Sequence, residues 1–269
     1  MISAIAFDLW ETLITNTPDV SREQKRVRLA RMEDILVARG HGALAHRIDH
    51  AHRMSWQRCQ ELYWSEDRDV PCRRQIEIFL ETLELDPSSF DEASLGQLER
   101  AYAGAAVEVP PVVIDGAAEL LAALKSRGLG VGLISNTGRT PGYALREILS
   151  NLGLAQSIDV MVFSNEHGEC KPQLSIFEAL RGGLGVPYSE LLFVGDNLYV
   201  DVHGAQRCGM KAVHFAPSVR GDAVAPHVEH GLEITPDATV TSLREVLDVM
   251  WRADVPSAAF GRTGRPPSR

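Results

Sequence analysis

Ile2-Ser3-Ala4-Ile5-Ala6-Phe7-Asp8-Leu9-Trp10-Glu11-Thr12-Leu13 opens the chain with an apolar run that ends on a carboxylate. Residues 2–7 have the length and composition of a strand buried on both faces. Parallel α/β sheets build their sites in the crevice beyond the carboxyl ends of such strands. Asp8 stands at that tip, so it is the first candidate for chemistry. Three later segments also place polar residues at or just beyond strand ends: Ser135-Asn136-Thr137, Lys171-Pro172, and Gly195-Asp196-Asn197 followed by Asp201.

Working outward, the pattern after Pro110-Pro111 alternates strands with helices. Strands are predicted at 129–134, 160–163, 191–194 and 211–215. Helices are predicted at 115–127, 141–152, from Pro172 to about 182, 199–208 and 241–252. Alternation at this spacing means parallel βαβ units, hence a doubly wound, Rossmann-like α/β sheet. Residues 16–107 contain no strand pattern. Ser21 with Gln24 reads as a capping box that opens a helix to Arg39, and Gly40 as its stop. Further helices are predicted at 43–66, 71–85, with Pro71 in the first turn, and 91–106. The expected organisation is therefore a core of residues 1–15 and 108–252, an all-helical insert at 16–107, and a disordered tail at 253–269, where Pro, Gly, Ser and Arg dominate.

With Asp8, these segments resemble the haloacid dehalogenase superfamily, in the same order along the chain. The resemblance covers residues 1–15 and about 110–250. It implies that the helical insert is a mobile C1-type cap that covers the site and selects the substrate. It further implies that Asp8 is a nucleophile, and that Mg2+ is held by Asp8, the backbone carbonyl of Trp10 and Asp196, with Asp201 supporting a metal-bound water. Ser135, Asn136 and Lys171 would hold the transferring group, Ser135 and Lys171 serving catalysis directly. The chemistry suits these residue types. A carboxylate can form an ester intermediate, Mg2+ takes hard oxygen ligands, and a fixed lysine charge offsets the crowding of anions.

Trp10 departs from the pattern, because most such enzymes carry a second aspartate there. That aspartate protonates the leaving oxygen and then activates water, whereas an indole N–H donates but does not titrate. The main reading is an Mg2+-dependent phosphatase of a small phosphorylated metabolite, with a good leaving group or an acid from elsewhere. Glu11, Lys25, His46, His50 and Glu61 are the candidates for that acid. A second reading is a 2-haloacid dehalogenase, whose branch is aromatic at this position but carries serine where Asp196 stands. A third is a binding or regulatory protein with weak hydrolysis or none. Cleavage of a phosphorus–carbon bond is less compatible with so bulky a residue. Trp10 should project toward the cap and narrow the substrate pocket.

The rest of the chain sets limits. A net charge of −9 argues against a nucleic-acid partner. No apolar run is long enough to span a bilayer, and the start shows no secretory pattern. Cys59, Cys72, Cys170 and Cys208 form no C-x-x-C pair and read as free thiols, which points to the cytoplasm. Arg22, Lys25, Arg26, Arg28 and Arg31 follow the first strand closely. They read either as a funnel for an anionic substrate or, more plainly, as a solvated helix face. Trp56, Tyr63 and Trp64 read as cap core or cap–core interface. Oligomeric state is not legible.

Overall fold

The computed structural model describes residues 1–217 and 231–253, with the side chains of 251–253 excluded. The chain enters through β1 (Ala4–Phe7), whose four residues are all buried. A tight loop leads to the two-residue strand β2 (Ile14–Thr15). Four helices follow: α1 (Pro18–Ala38), α2 (Ile48–Leu62), α3 (Cys72–Thr82) and α4 (Glu92–Glu108). β3 (Val112–Val113) then pairs antiparallel with β2, so the outgoing and returning chains run side by side. The remainder alternates: α5 (Ala117–Ser126), β4 (Gly130–Ser135), α6 (Gly142–Asn151), β5 (Val160–Phe163), the short α7 (Ser164–His167) and α8 (Leu174–Leu184). Next come β6 (Leu191–Gly195), a π-helical stretch (Leu198–His203), α9 (Gly204–Arg207), β7 (Lys211–Phe215), β8 (Ala238–Val240) and α10 (Val246–Ala253).

The main sheet has six strands in the order β5-β4-β1-β6-β7-β8, and every neighbouring pair is parallel. β1 is central, with Ala6 opposite Gly132 on one side and Phe193 on the other. The chain winds from β1 through β4 to β5 in one direction and from β6 through β7 to β8 in the other. Such a reversal opens a crevice at the carboxyl ends of the central strands.

Each face of the sheet has its own apolar layer. One packs Leu120, Leu124, Leu145, Ile148 and Val246 on the sheet. The other packs Ile176, Phe177, Leu180, Val202 and Ala205. A third cluster lies within the helical segment itself and includes Met32, Leu36, Ile76, Phe79, Leu98 and Tyr102. The segment between β2 and β3 thus buries its own core and sits beyond the carboxyl ends of the strands.

The structure shifts several expected boundaries. α1 begins at Pro18, three residues before Ser21, because Thr17 caps it by accepting from the Val20 amide at 3.2 Å, and Pro18 supplies a preset first turn. Pro71 caps α3 from outside rather than lying in its first turn. The helix expected at 43–66 is regular only over 48–62, with 3-10 turns before and after it. The stretch from Ser164 to Lys171 starts with α7 instead of a plain loop. Pro172 does not open a helix; α8 starts at Leu174. The helix expected at 199–208 is split into π and α turns. β2, β3 and β8 were not anticipated. Except for Ala253, which closes α10, the expected tail lies outside the described residues.

Candidate active site

Asp8 follows β1 directly, and its amide donates to the Val194 carbonyl at 2.9 Å, so its place is fixed by the next strand. Beyond it the chain turns sharply. The Leu13 and Ile14 amides both return to the Leu9 carbonyl, and Glu11 takes a left-handed φ of 59°. The Glu11 carboxylate is engaged by the Thr15 hydroxyl at 2.8 and 2.9 Å.

Lys171 joins the site from the loop before α8. Its side chain is 1% exposed, and its ammonium donates to Asp8 Oδ1 at 2.5 Å, Asp201 Oδ1 at 2.6 Å and the Ile134 carbonyl at 3.2 Å. Burial alone would lower its pKa, but the Asp201 and Asp8 carboxylates outweigh that and hold it raised, so the lysine stays charged. Asp8 moves the other way from its ordinary value. Burial, reinforced by the Asp201 charge, lifts its carboxyl to about 6 against the opposing pull of Lys171. One ammonium therefore serves two buried carboxylates.

Asn136 fixes the position of Lys171. Its Oδ1 accepts from the Lys171 amide at 2.8 Å, and its Nδ2 donates to the Lys171 carbonyl at 3.1 Å. Both polar ends of Asn136 are thus committed to the Lys171 backbone. Asn136 also lines both cavities described below. Ser135, at the tip of β4, is fully buried, and its hydroxyl has no hydrogen-bond partner.

The fourth segment curls onto the same point. Asn197 caps the π-helical stretch, accepting from the Tyr199 and Val200 amides at 2.9 and 3.0 Å. That turn sends Asp201 back, where its Oδ2 accepts from the Asn197 amide at 3.1 Å. Only glycine fits at 195, because a Cβ there would overlap the Asp201 carboxylate. Carboxylate oxygens of Asp8, Asp196 and Asp201 lie within 4.8 Å of one another, the one such group among the described residues. A set of hard oxygen donors this close suits one Mg2+ ion. His46 and His50 are exposed, and neither belongs to a metal-binding group.

The helical segment closes the crevice. A cleft of about 600 Å³ is lined by Lys171, Asn197 and Thr137 on the sheet side and by Trp56, Trp64 and Asp69 on the helical side. A second cavity of about 420 Å³ contains Trp10, Asn136 and Trp56 in its walls. Trp10 is half-buried, packed on the sheet layer and facing this second space. Trp56 stands between the two cavities. Gly138, with φ 57°, leaves room for its ring, and a Cβ there would press on it at 3.2 Å.

Sequence reasoning missed Asp69. Its carboxylate accepts from Trp64 Nε1 and the Val70 amide at 2.7 Å, from Thr137 Oγ1 at 3.1 Å and from Ser164 Oγ. The backbone joins there too, Asp69 to Gly168 at 2.9 Å and Cys170 to Asp67 at 2.7 Å. Nothing in the local pattern of residues 67–69 signals contacts nearly a hundred positions away.

A family model described as haloacid dehalogenase-like hydrolase matches residues 2–209. The ribulose-1,5-bisphosphate 5-phosphatase of Halopiger xanaduensis is 28% identical, over 93% of this chain and all of that protein. The glyceraldehyde 3-phosphate phosphatase of Methanothermobacter thermautotrophicus is 34% identical over 46% of this chain and 54% of its own length. A crystal structure of the 2-haloacid dehalogenase from Pseudomonas syringae pv. Tomato superposes over 94% of this chain and 99% of that one, with a TM-score of 0.65 at 22% identity.

Proposed function

The chain belongs to the haloacid dehalogenase-like hydrolases, and on that premise we propose that it is a divalent-metal-dependent phosphatase of a small phosphorylated metabolite. The observation that carries the reading is the convergence of the Asp8, Asp196 and Asp201 carboxylates, with the Lys171 ammonium donating to Asp8 and Asp201. Three carboxylates are more than attack on a neutral carbon requires, but they suit a metal facing an anionic phosphoryl group. The relatives named as phosphatases support the same direction, one of them over its full length.

The residues divide the work as follows. Asp8 attacks phosphorus, an O–P bond forms, and the bond to the leaving oxygen breaks. Water then attacks the same phosphorus and returns Asp8 as a carboxylate. Lys171 lets the nucleophile face an anion by neutralising Asp8 and Asp201 together. The buried, unpartnered Ser135 hydroxyl supplies a donor for a phosphoryl oxygen, and Asn136 keeps Lys171 in place. Asp8, Asp196 and the Trp10 carbonyl would hold Mg2+, with Asp201 supporting it, and the ion would neutralise developing charge on the phosphoryl oxygens. The helical segment acts as the cap that excludes water.

No titratable side chain stands at residue 10, and Glu11 is engaged by Thr15, so neither supplies the proton for the leaving oxygen. Esters with a good leaving group are therefore preferred. The test is phosphate release from matched aryl and alkyl phosphate monoesters, with and without Mg2+, using Asp8→Asn as the blank. Metal-dependent turnover favouring the aryl ester supports the reading. The aromatic Trp10 keeps a second reading in view, attack of Asp8 on carbon, for which halide release from a 2-haloacid without metal would be the signature. Ligand binding with neither product would leave a regulatory protein.

A further inference from the structure

The second cavity, between α1, α2 and the loop after β4, holds charge that the phosphoryl site does not use. Its walls include Trp10, Gln24, Lys25, Arg28, His52 and Arg139. The outward cations of α1 and its return are paired with carboxylates: Arg22 with Asp19, Arg26 with Glu23 and Arg31 with Glu108. Arg28 is not. It is 6% exposed, its Nε donates to the Tyr102 carbonyl at 2.7 Å, and its guanidinium lies 5.3 Å from the Tyr102 ring centre. Arg139 stacks on Trp56 at 4.2 Å, and its buried Nε has no partner. Among the described residues, no carboxylate is within ion-pair distance of Arg28 or Arg139. Asp49 is committed to Lys25 at 2.6 Å and to Arg53.

His52 adds an independent observation. It is 3% exposed, and neither ring nitrogen has a hydrogen-bond partner. Burial, with Arg139, Arg28 and Lys25 nearby, pushes its pKa down to about 3, so the ring is neutral and offers one N–H and one lone pair. A desolvated positive charge and an orphaned buried donor are both costly unless something meets them. Guanidinium forks match carboxylate and phosphate oxygens. The cavity also touches Asn136 and Thr137, the residues directly after Ser135, so it opens beside the phosphoryl site.

We propose that this cavity binds a second anionic group of the substrate, a carboxylate or phosphate borne a few bonds from the phosphoryl group being transferred. The inference rests on the phosphatase reading for its substrate class. Arg28 and Arg139 contact the anion, His52 donates its N–H, and Trp10 fills the space between the two anionic ends, limiting the length of the molecule that joins them.

The test compares 3-phosphoglycerate with glycerol 3-phosphate, which differ by a terminal carboxylate in place of a hydroxymethyl group. The wild type should prefer the carboxylate in kcat/KM by about 10–100-fold, the range expected for charge-assisted hydrogen bonds. Arg139→Gln, at a half-buried position, should collapse that ratio through KM, as should Arg28→Gln if it folds. Equal kcat/KM for the two esters, or a ratio unchanged in Arg139→Gln, would overturn the proposal. Calorimetric titration of Asp8→Asn with the same two compounds separates the two claims. If the wild type hydrolyses neither of these alkyl esters, the aryl-ester assay decides the phosphatase reading and the titration decides the anion site. Tighter binding of 3-phosphoglycerate that is lost in Asp8→Asn/Arg139→Gln would still support the anion site, and equal binding of the two would overturn it.

Discussion

Lys171 shows how one residue can govern both stability and chemistry. It is buried with two carboxylates on its ammonium. Lys171→Met keeps the stem and removes the charge, leaving Asp8 and Asp201 facing each other without compensation. Removing one partner of a buried pair costs about 3–5 kcal/mol. Chemical denaturation at neutral pH should show a loss of that size, and it should shrink in acid as the carboxyls take up protons. The Asp8 pKa, raised from 3.8 to about 6, has a signed consequence. Between those values the folded state holds a proton that the unfolded state has released, so stability falls as pH rises through the window. Mg2+ must expel the same proton, so its calorimetric affinity in the metal-free protein should weaken as pH drops below about 6. Affinity that is flat across that window would contradict the Asp8 assignment. Trp10→Asp restores a titratable group beside the leaving oxygen. It should raise turnover of alkyl phosphates, by up to about 10²–10⁴-fold if acid help is what is missing. No gain in a folded, metal-binding variant would refute that explanation.

At the scale of elements, the site depends on how loops are returned to it. Asn197 and Gly195 bend the chain so that Asp201 meets Lys171. Asp69 fastens the helical segment to the β4 and β5 loops through Thr137 and Ser164. Asp69→Ala leaves several donors unmet and should cost about 1–3 kcal/mol per buried unsatisfied group. Faster amide exchange in residues 64–70 and 164–170, with β1 and β6 unaffected, would locate the loss at this contact; unchanged exchange there would contradict the fastening role. These elements also show what the sequence could reveal. Strands β1, β4 and β6 were legible because strands buried on both faces are nearly continuous apolar runs, and β5 and β7 because short β-rich runs alternate with helices. The start of α1 was misplaced because Ser21 and Gln24 have capping-box spacing, yet Thr17-Pro18 stands earlier and wins. β2, β3 and β8 are two or three residues long, too short for periodicity to register.

For the molecule as a whole, the order of the four motifs carried the fold, because a doubly wound sheet brings successive strand tips to one crevice. Asp8, Ser135, Lys171 and Asp201 were therefore readable before their geometry was. The contacts of Asp69 and the unpaired state of Arg28 and Arg139 were not, since both depend on how the helical segment seats on the sheet. The five cations after β1 show this division: in sequence they form one group, but in the fold Arg22, Arg26 and Arg31 face outward to carboxylates while Lys25 and Arg28 line a cavity. Among the described residues no helix is long and apolar enough to cross a membrane. The central claim, that Asp8 carries the phosphoryl group, is tested most directly by rapid quench during turnover with Mg2+. Borohydride reduction of the acyl phosphate and mass spectrometry of the peptide containing residue 8 would then follow. The account predicts a reduced side chain at position 8 that requires both substrate and metal and is absent in Asp8→Asn. Phosphate release at full rate with Asp8 unmodified, or retained in Asp8→Asn, would contradict it.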